Sequence, residues 1–197
     1  MEKERTLYTN LNSLAQVGGL VILGGDEDKA IPLCELKQAF DLQGGIYNRS
    51  VSAFSVHNAI AIYDDYVAPL KPEDIFLHIG AGDLALFSQD SATFDRKLHH
   101  LLQHIRSTDK ACHITVISLK SPDANPLIWE MNKHLATIAE SEQCDFFDIS
   151  KHRVWNPQQT KDVLSFVYST GFVRPLRRKH PLYDLAKILF CFPNLPC

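Results

Sequence analysis

The chain has 197 residues, of which 45% are hydrophobic and 22% charged, with a formal net charge of −3. That length suits a single domain spanning 1–197 with a core of its own, and the composition is that of an ordinary soluble globular protein. The weak charge argues against nucleic acid or an anionic membrane surface as partner, and no apolar run approaches the roughly 20 residues a membrane span needs.

The five cysteines, at 34, 112, 144, 191 and 197, form no Cys-x-x-Cys pair, so neither a zinc site nor a disulfide framework is expected. Met-Glu-Lys-Glu-Arg at the start lacks the apolar core of a signal peptide. A reducing cytoplasm is the expected location. Residues 3–17 carry Leu7, Leu11 and Leu14 at helical spacing. Gly18-Gly19 ends that helix, and Leu20-Val-Ile-Leu23 predicts a short buried strand leading into Gly24-Gly25-Asp26-Glu27-Asp28. Pro32 suits the first turn of a helix running to about Leu42. After Gly44-Gly45, residues 46–51 predict a second strand and its exit. Ser55 is placed to cap a helix through Val67, with Val56, Ala59, Ile60 and Tyr63 on one apolar face.

Lys71-Pro-Glu-Asp-Ile-Phe-Leu-His-Ile-Gly-Ala-Gly-Asp-Leu84 follows. It reads as a turn, a strand at 75–79 covered on both faces and a glycine exit. Residues 91–107 predict a helix with Phe94, Leu98, Leu101, Leu102 and Ile105 as its stripe. Residues 113–119 predict a fourth strand, 126–142 a long helix, 144–149 a fifth strand and 181–192 a last helix. Strands alternating with helices imply a five-stranded parallel sheet in a three-layer α/β/α sandwich of flavodoxin-like topology. In such sheets ligands bind at the carboxyl ends of the strands.

The stretch ending in Gly80-Ala81-Gly82-Asp83 resembles the third conserved block of the SGNH (GDSL-like) hydrolases, strand-Gly-x-Asn-Asp. The order of the remaining blocks extends the resemblance over nearly the whole chain, with 125–149 similar to the stretch before the family's last catalytic block and His180-Pro181 similar to that block's His-Pro. The resemblance implies the same fold and an ester-hydrolase ancestry. The family's chemistry needs a Ser nucleophile after the first strand, a His base oriented by an Asp, and an oxyanion hole of backbone amides and an Asn side chain. Here Asp26 or Glu27 stands at the nucleophile position, and no Ser lies in residues 24–28. Asn48-Arg49-Ser50 matches Asn-x-Gly with Ser50 for Gly, Gly82 replaces the oxyanion Asn, and Arg177 replaces the Asp, while His180 is retained.

A triad without its nucleophile does not run the serine mechanism. The resemblance therefore implies a fold relative acting as a binding or interaction module, with Gly25, Asn48, Ser50, Gly82 and Asp83 around the cleft and Asp26, Glu27 and Asp28 facing Arg177, Arg178 and His180 as a charge cluster. The alternative is an active esterase or acetylesterase with a rebuilt site in which Asp26 or Glu27 activates water and His180 assists. Either a small acyl or carbohydrate ester or a protein is the expected partner.

No cofactor or metal is expected. His99, His100 and His104 read as a polar helix face beside Asp95 rather than as ligands. Asp26, Asp28 and Asp83 form an alternative strand-end cation site. Gly24-Gly25 lacks the Lys-Ser/Thr of a phosphate loop, and Arg174, Arg177, Arg178 and Lys179 read as a solvated basic turn. His78 reads as a satisfied core residue, and Trp129 and Trp155 as packing residues.

Overall fold

The computed structural model describes residues 2–39, 44–121, 125–150 and 181–191. Among them lie five strands: β1 (Leu20–Leu23), β2 (Ile46–Asn48), β3 (Asp74–His78), β4 (His113–Ile117) and β5 (Asp145–Phe147). All pairings are parallel, in the order β2-β1-β3-β4-β5. This is the flavodoxin-like doubly wound order, whose switch point lies between β1 and β3. The helices are α1 (Glu2–Leu14), α2 (Asp26–Lys29), α3 (Leu33–Ala39), α4 (Ala59–Ile62), α5 (Leu84–Gln89), α6 (Ser91–Thr108), α7 (Pro126–Ser141) and α8 (Pro181–Cys191).

The strands alternate between two cores. Val21 and Leu23 of β1 share one buried cluster with Ile75, Leu77, the α6 stripe and Met131 and Leu135 of α7. Leu20 and Ile22 join the other, with Phe76, Ile117, Leu36 of α3 and Leu189 and Phe190 of α8. Because side chains of a strand point alternately to opposite faces, a continuous apolar run is what a strand covered on both sides requires. Phe76 meets Phe190 edge to face at 5.9 Å, which ties α8 to the sheet centre.

The segment 55–70 departs from expectation. Ser55 does not cap a helix; its amide donates to Asn58 Oδ1 (2.9 Å) in a turn, and α4 begins at Ala59. The helix then widens into a π turn at Tyr63–Val67 and closes as a 3₁₀ turn at Ala68–Leu70. Pro69 lies in that last turn, where it has no N–H to resume an α-helical ladder. The one-turn α2 and the short α5 carry too few residues to show periodicity.

Trp129 is a second departure. It is 58% exposed rather than packed in a core, and Lys133 Nζ lies 3.3 Å from its ring centroid. Replacing Trp129 with Ala is therefore expected to cost less than about 1 kcal/mol, whereas a buried Trp costs about 3–5. Thermal denaturation of Trp129→Ala measures it, and a loss in the buried range would mean that the side chain is covered.

Candidate functional site

β1 ends beside β3, with Ile22 opposite Phe76 and Leu23 opposite Leu77. Gly24 follows β1, and a Cβ there would lie 2.0 Å from Asp28 Oδ2. Its absence lets the chain turn into α2 and fold the Asp28 carboxylate back across the turn. The Gly25 amide donates to Asp28 Oδ2 (2.9 Å). His78, the last residue of β3, approaches the same carboxylate from the other side, with Nδ1 at 2.8 Å from Oδ1 and 3.0 Å from Oδ2.

Asp28 is 4% and His78 7% exposed. Nδ1 is the ring nitrogen placed to donate to the carboxylate. Nε2 is buried and has no hydrogen-bond partner among the described residues. The imidazole meets Phe190 of α8 edge to face at 5.5 Å.

Asn48 braces the turn from β2. Its Nδ2 donates to the Asp28 carbonyl oxygen (2.7 Å), and its Oδ1 accepts from the Ser50 amide (3.0 Å). The Ser50 amide, a possible oxyanion donor on the sequence reading, is thus committed inside the turn. Ser50 is fully buried, and its carbonyl accepts from the Tyr8 hydroxyl. The neighbouring Arg49 is also buried. It donates to Asn12 Oδ1 and the Asn48 carbonyl and lies within 5.2 Å of the Tyr8 ring centroid. Burial pushes the Arg49 pKa down and the Tyr8 pKa up.

The third wall comes from β3's exit. Gly80 has φ +118°, the left-handed region that glycine adopts without strain, and a Cβ there would press on Met131 Sδ at 2.8 Å. At Gly82 a Cβ would stand 2.4 Å from the carbonyl oxygen of Phe54. The backbone at 54 therefore fills the space that a side chain at 82 would need. Asp83, 1% exposed, accepts from the Val56 amide at 3.1 and 3.2 Å and so pins that backbone. Burial pushes the Asp83 carboxyl up, partly opposed by this hydrogen bond.

Between these walls is a cavity of about 280 Å³, lined in part by Glu27, Phe54, His78, Gly80 and Gly82. Asp26 stands at its rim, 69% exposed, and accepts from the Ala53 amide (3.3 Å). Its hydrogen bond from Ser52 is the main cause holding its carboxyl below the usual range.

The fold thus gathers Gly25, Asp26, Glu27, Asp28 and Gly82 at one cavity, whereas Asn48, Ser50 and Asp83 support its walls from outside. His180, Arg177 and Arg178 lie outside the described residues, as do Arg174, Lys179 and Trp155. Among the described residues the partner of Asp28 is His78, and that pair is what sequence reasoning missed. The available signal was a lone polar residue at the carboxyl end of an apolar strand, two positions before the glycine of its exit.

The metal alternatives dissolve into pairs. His99 Nδ1 is 2.8 Å from Glu142, His104 Nε2 is 2.7 Å from Asp64, and Asp95 meets His134 at 2.9 Å rather than His99. Asp28 and Asp83 are turned toward His78 and Val56. Among the described residues no group of three or more potential ligands could hold a metal ion.

No protein-family model matches the sequence, and no curated protein matches it. Solved structures do. A protein from Streptococcus pneumonia provisionally named a platelet activating factor is 18% identical, with 95% of this chain and 90% of that one covered and a TM-score of 0.67. A GDSL-like lipase from Bacteroides thetaiotaomicron is 15% identical over 86% of this chain and 97% of its own, with a TM-score of 0.59. The lipase/acylhydrolase from Enterococcus faecalis is 16% identical over 89% and 94%, with a TM-score of 0.57. The chain therefore has the fold of the GDSL-like hydrolases, the α/β architecture with a five-stranded parallel sheet that its sequence implied.

Proposed function

We propose that this chain keeps the acyl-hydrolase fold without the serine chemistry and works as a binding module through the cavity between the ends of β1 and β3. The observation that carries this reading is the commitment of two donors at the turn after β1: the Asp28 carboxylate occupies the Gly25 amide and His78 Nδ1 together. Catalysis of acyl transfer needs donors aimed at a developing oxyanion and left free in the resting site. The Ser50 amide is also occupied, and Gly82 has neither a donor side chain nor room for one.

One specific observation favours a second reading. Glu27 lines the cavity, so a water held there could be activated by a carboxylate. No helix among the described residues is long and apolar enough to cross a membrane. The free thiols of Cys34, Cys112 and Cys144 suit a reducing, cytoplasmic setting.

Short-chain p-nitrophenyl esters and a fluorophosphonate serine probe test the proposal. The purified chain is expected to hydrolyse the esters no faster than buffer and to take up no label. Labelling would establish serine chemistry, and turnover that disappears in Glu27→Gln would establish the water-based reading; either result overturns the binding-module proposal.

A further inference from the structure

We infer that α1 carries a self-association surface, through which two copies of this chain pair about a two-fold axis by the stripe Leu7, Leu11, Leu14 and Val17. The inference goes beyond the cavity and holds whether or not the cavity binds a ligand. Leu7, Leu11 and Leu14 stand at i, i+4 and i+7, which puts them on one face of a helix. That face points outward. Leu7 is 52%, Leu11 40% and Leu14 83% exposed, and Val17, in the segment that follows the helix, is 69% exposed. None of the four joins either apolar core.

An ordinary surface helix is built the other way round. α6 buries Leu98, Leu101 and Leu102 and exposes Arg96, His100 and Gln103. α1 instead docks by polar groups. Glu4 accepts from Lys29 Nζ (2.8 Å) and from the Ser52 amide (3.1 Å). The Tyr8 hydroxyl donates to the Ser50 carbonyl. Asn12 donates to the Tyr66 carbonyl (3.0 Å) and accepts from Arg49 Nε (2.9 Å). Glu4, Tyr8 and Asn12 recur every fourth residue along the inward face, so these bonds fix the rotation of the helix with its leucines outward. The other large apolar side chains exposed among the described residues are Trp129 and Tyr183. Each is engaged, the first by Lys133 and the second by the Phe147 ring.

Charge and area select the occupant. Residues 6–17 contain no Asp, Glu, Lys, Arg or His, and the exposed neighbours of the stripe are Thr6, Thr9, Asn10, Ser13 and Gln16. A membrane-surface helix sets Lys and Arg beside its apolar face, and a charged peptide needs an opposite charge; this stripe offers neither. An isologous contact sets a surface against itself, and a neutral stripe meets its own copy without like charges. Antiparallel pairing brings Leu7 of one copy to Leu14 of the other and Leu11 to Leu11, with the helix dipoles opposed. The four side chains expose on the order of 400 Å², a size at which exposed apolar patches mark interaction sites. Two copies, with the flanking polar residues, bury about 1,000 Å², the low end for a specific interface. The dimer is therefore weak and reversible.

Sedimentation velocity of the purified full chain tests this, over about 1–200 µM, a range that brackets the expected monomer–dimer Kd of about 10 µM. Leu11→Glu, an exposed change checked for folding by circular dichroism, is expected to weaken association about a hundredfold, because like charges then face each other at the axis. Leu14→Gln, which adds no charge, is expected to weaken it about tenfold. Trp129→Ala is expected to leave it unchanged. A wild-type monomer at the top of this range, species that grow beyond the dimer, or a dimer indifferent to Leu11→Glu would each overturn the proposal. So would flotation of the wild type, but not of Leu11→Glu, with phosphatidylcholine–phosphatidylserine vesicles, which assigns the stripe to a membrane. Thermal melts at the lowest concentration, where the wild type is a monomer, close the test. There Leu11→Glu is expected to melt with the wild type; a clear loss would mean that this chain covers the stripe itself and would overturn the proposal too.

Discussion

Asp28→Ala is expected to destabilise the chain by about 3 kcal/mol, the low end of what removing one member of a buried pair costs. In a chain of this size that lowers the melting temperature by about 6–12 °C. Three interactions are lost together: the two contacts with His78 Nδ1 and the Gly25 amide hydrogen bond. The larger part of the penalty comes from what remains, a buried imidazole N–H and a backbone N–H with no acceptor. Asp28→Asn should fall in between, because one amide oxygen cannot replace two carboxylate oxygens that each face a donor.

The double variant Asp28→Ala/His78→Leu is expected to recover at least half the loss, since it removes the orphaned ring as well. Chemical denaturation of Asp28→Ala, His78→Leu and the double variant measures this as a coupling energy. If Asp28→Ala alone is neutral, the pair does not hold the turn together, and the main support for the proposed function goes with it.

An Asn at position 82 should harm the protein rather than confer ester hydrolysis. Gly82→Asn puts a Cβ 2.4 Å from the Phe54 carbonyl oxygen, and the obstacle is backbone rather than the end of a flexible side chain. That backbone is also held through Val56 by Asp83. Overpacking of this kind typically costs about 1–3 kcal/mol, and we expect about 2 kcal/mol or more with no ester hydrolysis. Gly82→Ala should show most of the same loss, because the clash begins at Cβ. Urea denaturation and the p-nitrophenyl ester assay together decide the matter. A stable Gly82→Asn protein with new esterase activity would mean that the oxyanion hole is latent and that only its side chain is missing.

Much of the architecture was legible in the chain. The stripe Phe94, Leu98, Leu101, Leu102 and Ile105 predicted α6, and all five are fully buried. The apolar runs of β1 and β3 implied strands covered on both faces, and each contributes side chains to both cores. Turn glycines and Pro126 marked element ends. Legibility failed where local pattern is short or overruled: α2 has one turn, and the helix expected from Ser55 was displaced by a turn bonded to Asn58 and passes into a π turn at Tyr63.

The candidate site divides in the same way. That Asp26, Glu27 and Gly82 lie together beside strand ends could be read directly, because glycine exits follow the two apolar runs. The pairing of Asp28 with His78 could not. The two residues are fifty positions apart, and they meet only because β1 and β3 lie side by side in register.

By itself, then, the sequence determined the succession of strands and helices along the chain and the two-sided burial of the sheet. These follow from the spacing and identity of neighbours along the chain. The tertiary structure decided that the Asp28 carboxylate turns inward to His78, that the Phe54 carbonyl closes the space beside Gly82, and that Glu27 lines the cavity. Such facts depend on distances between side chains and backbone brought together across the sheet, to which periodicity along the chain is blind.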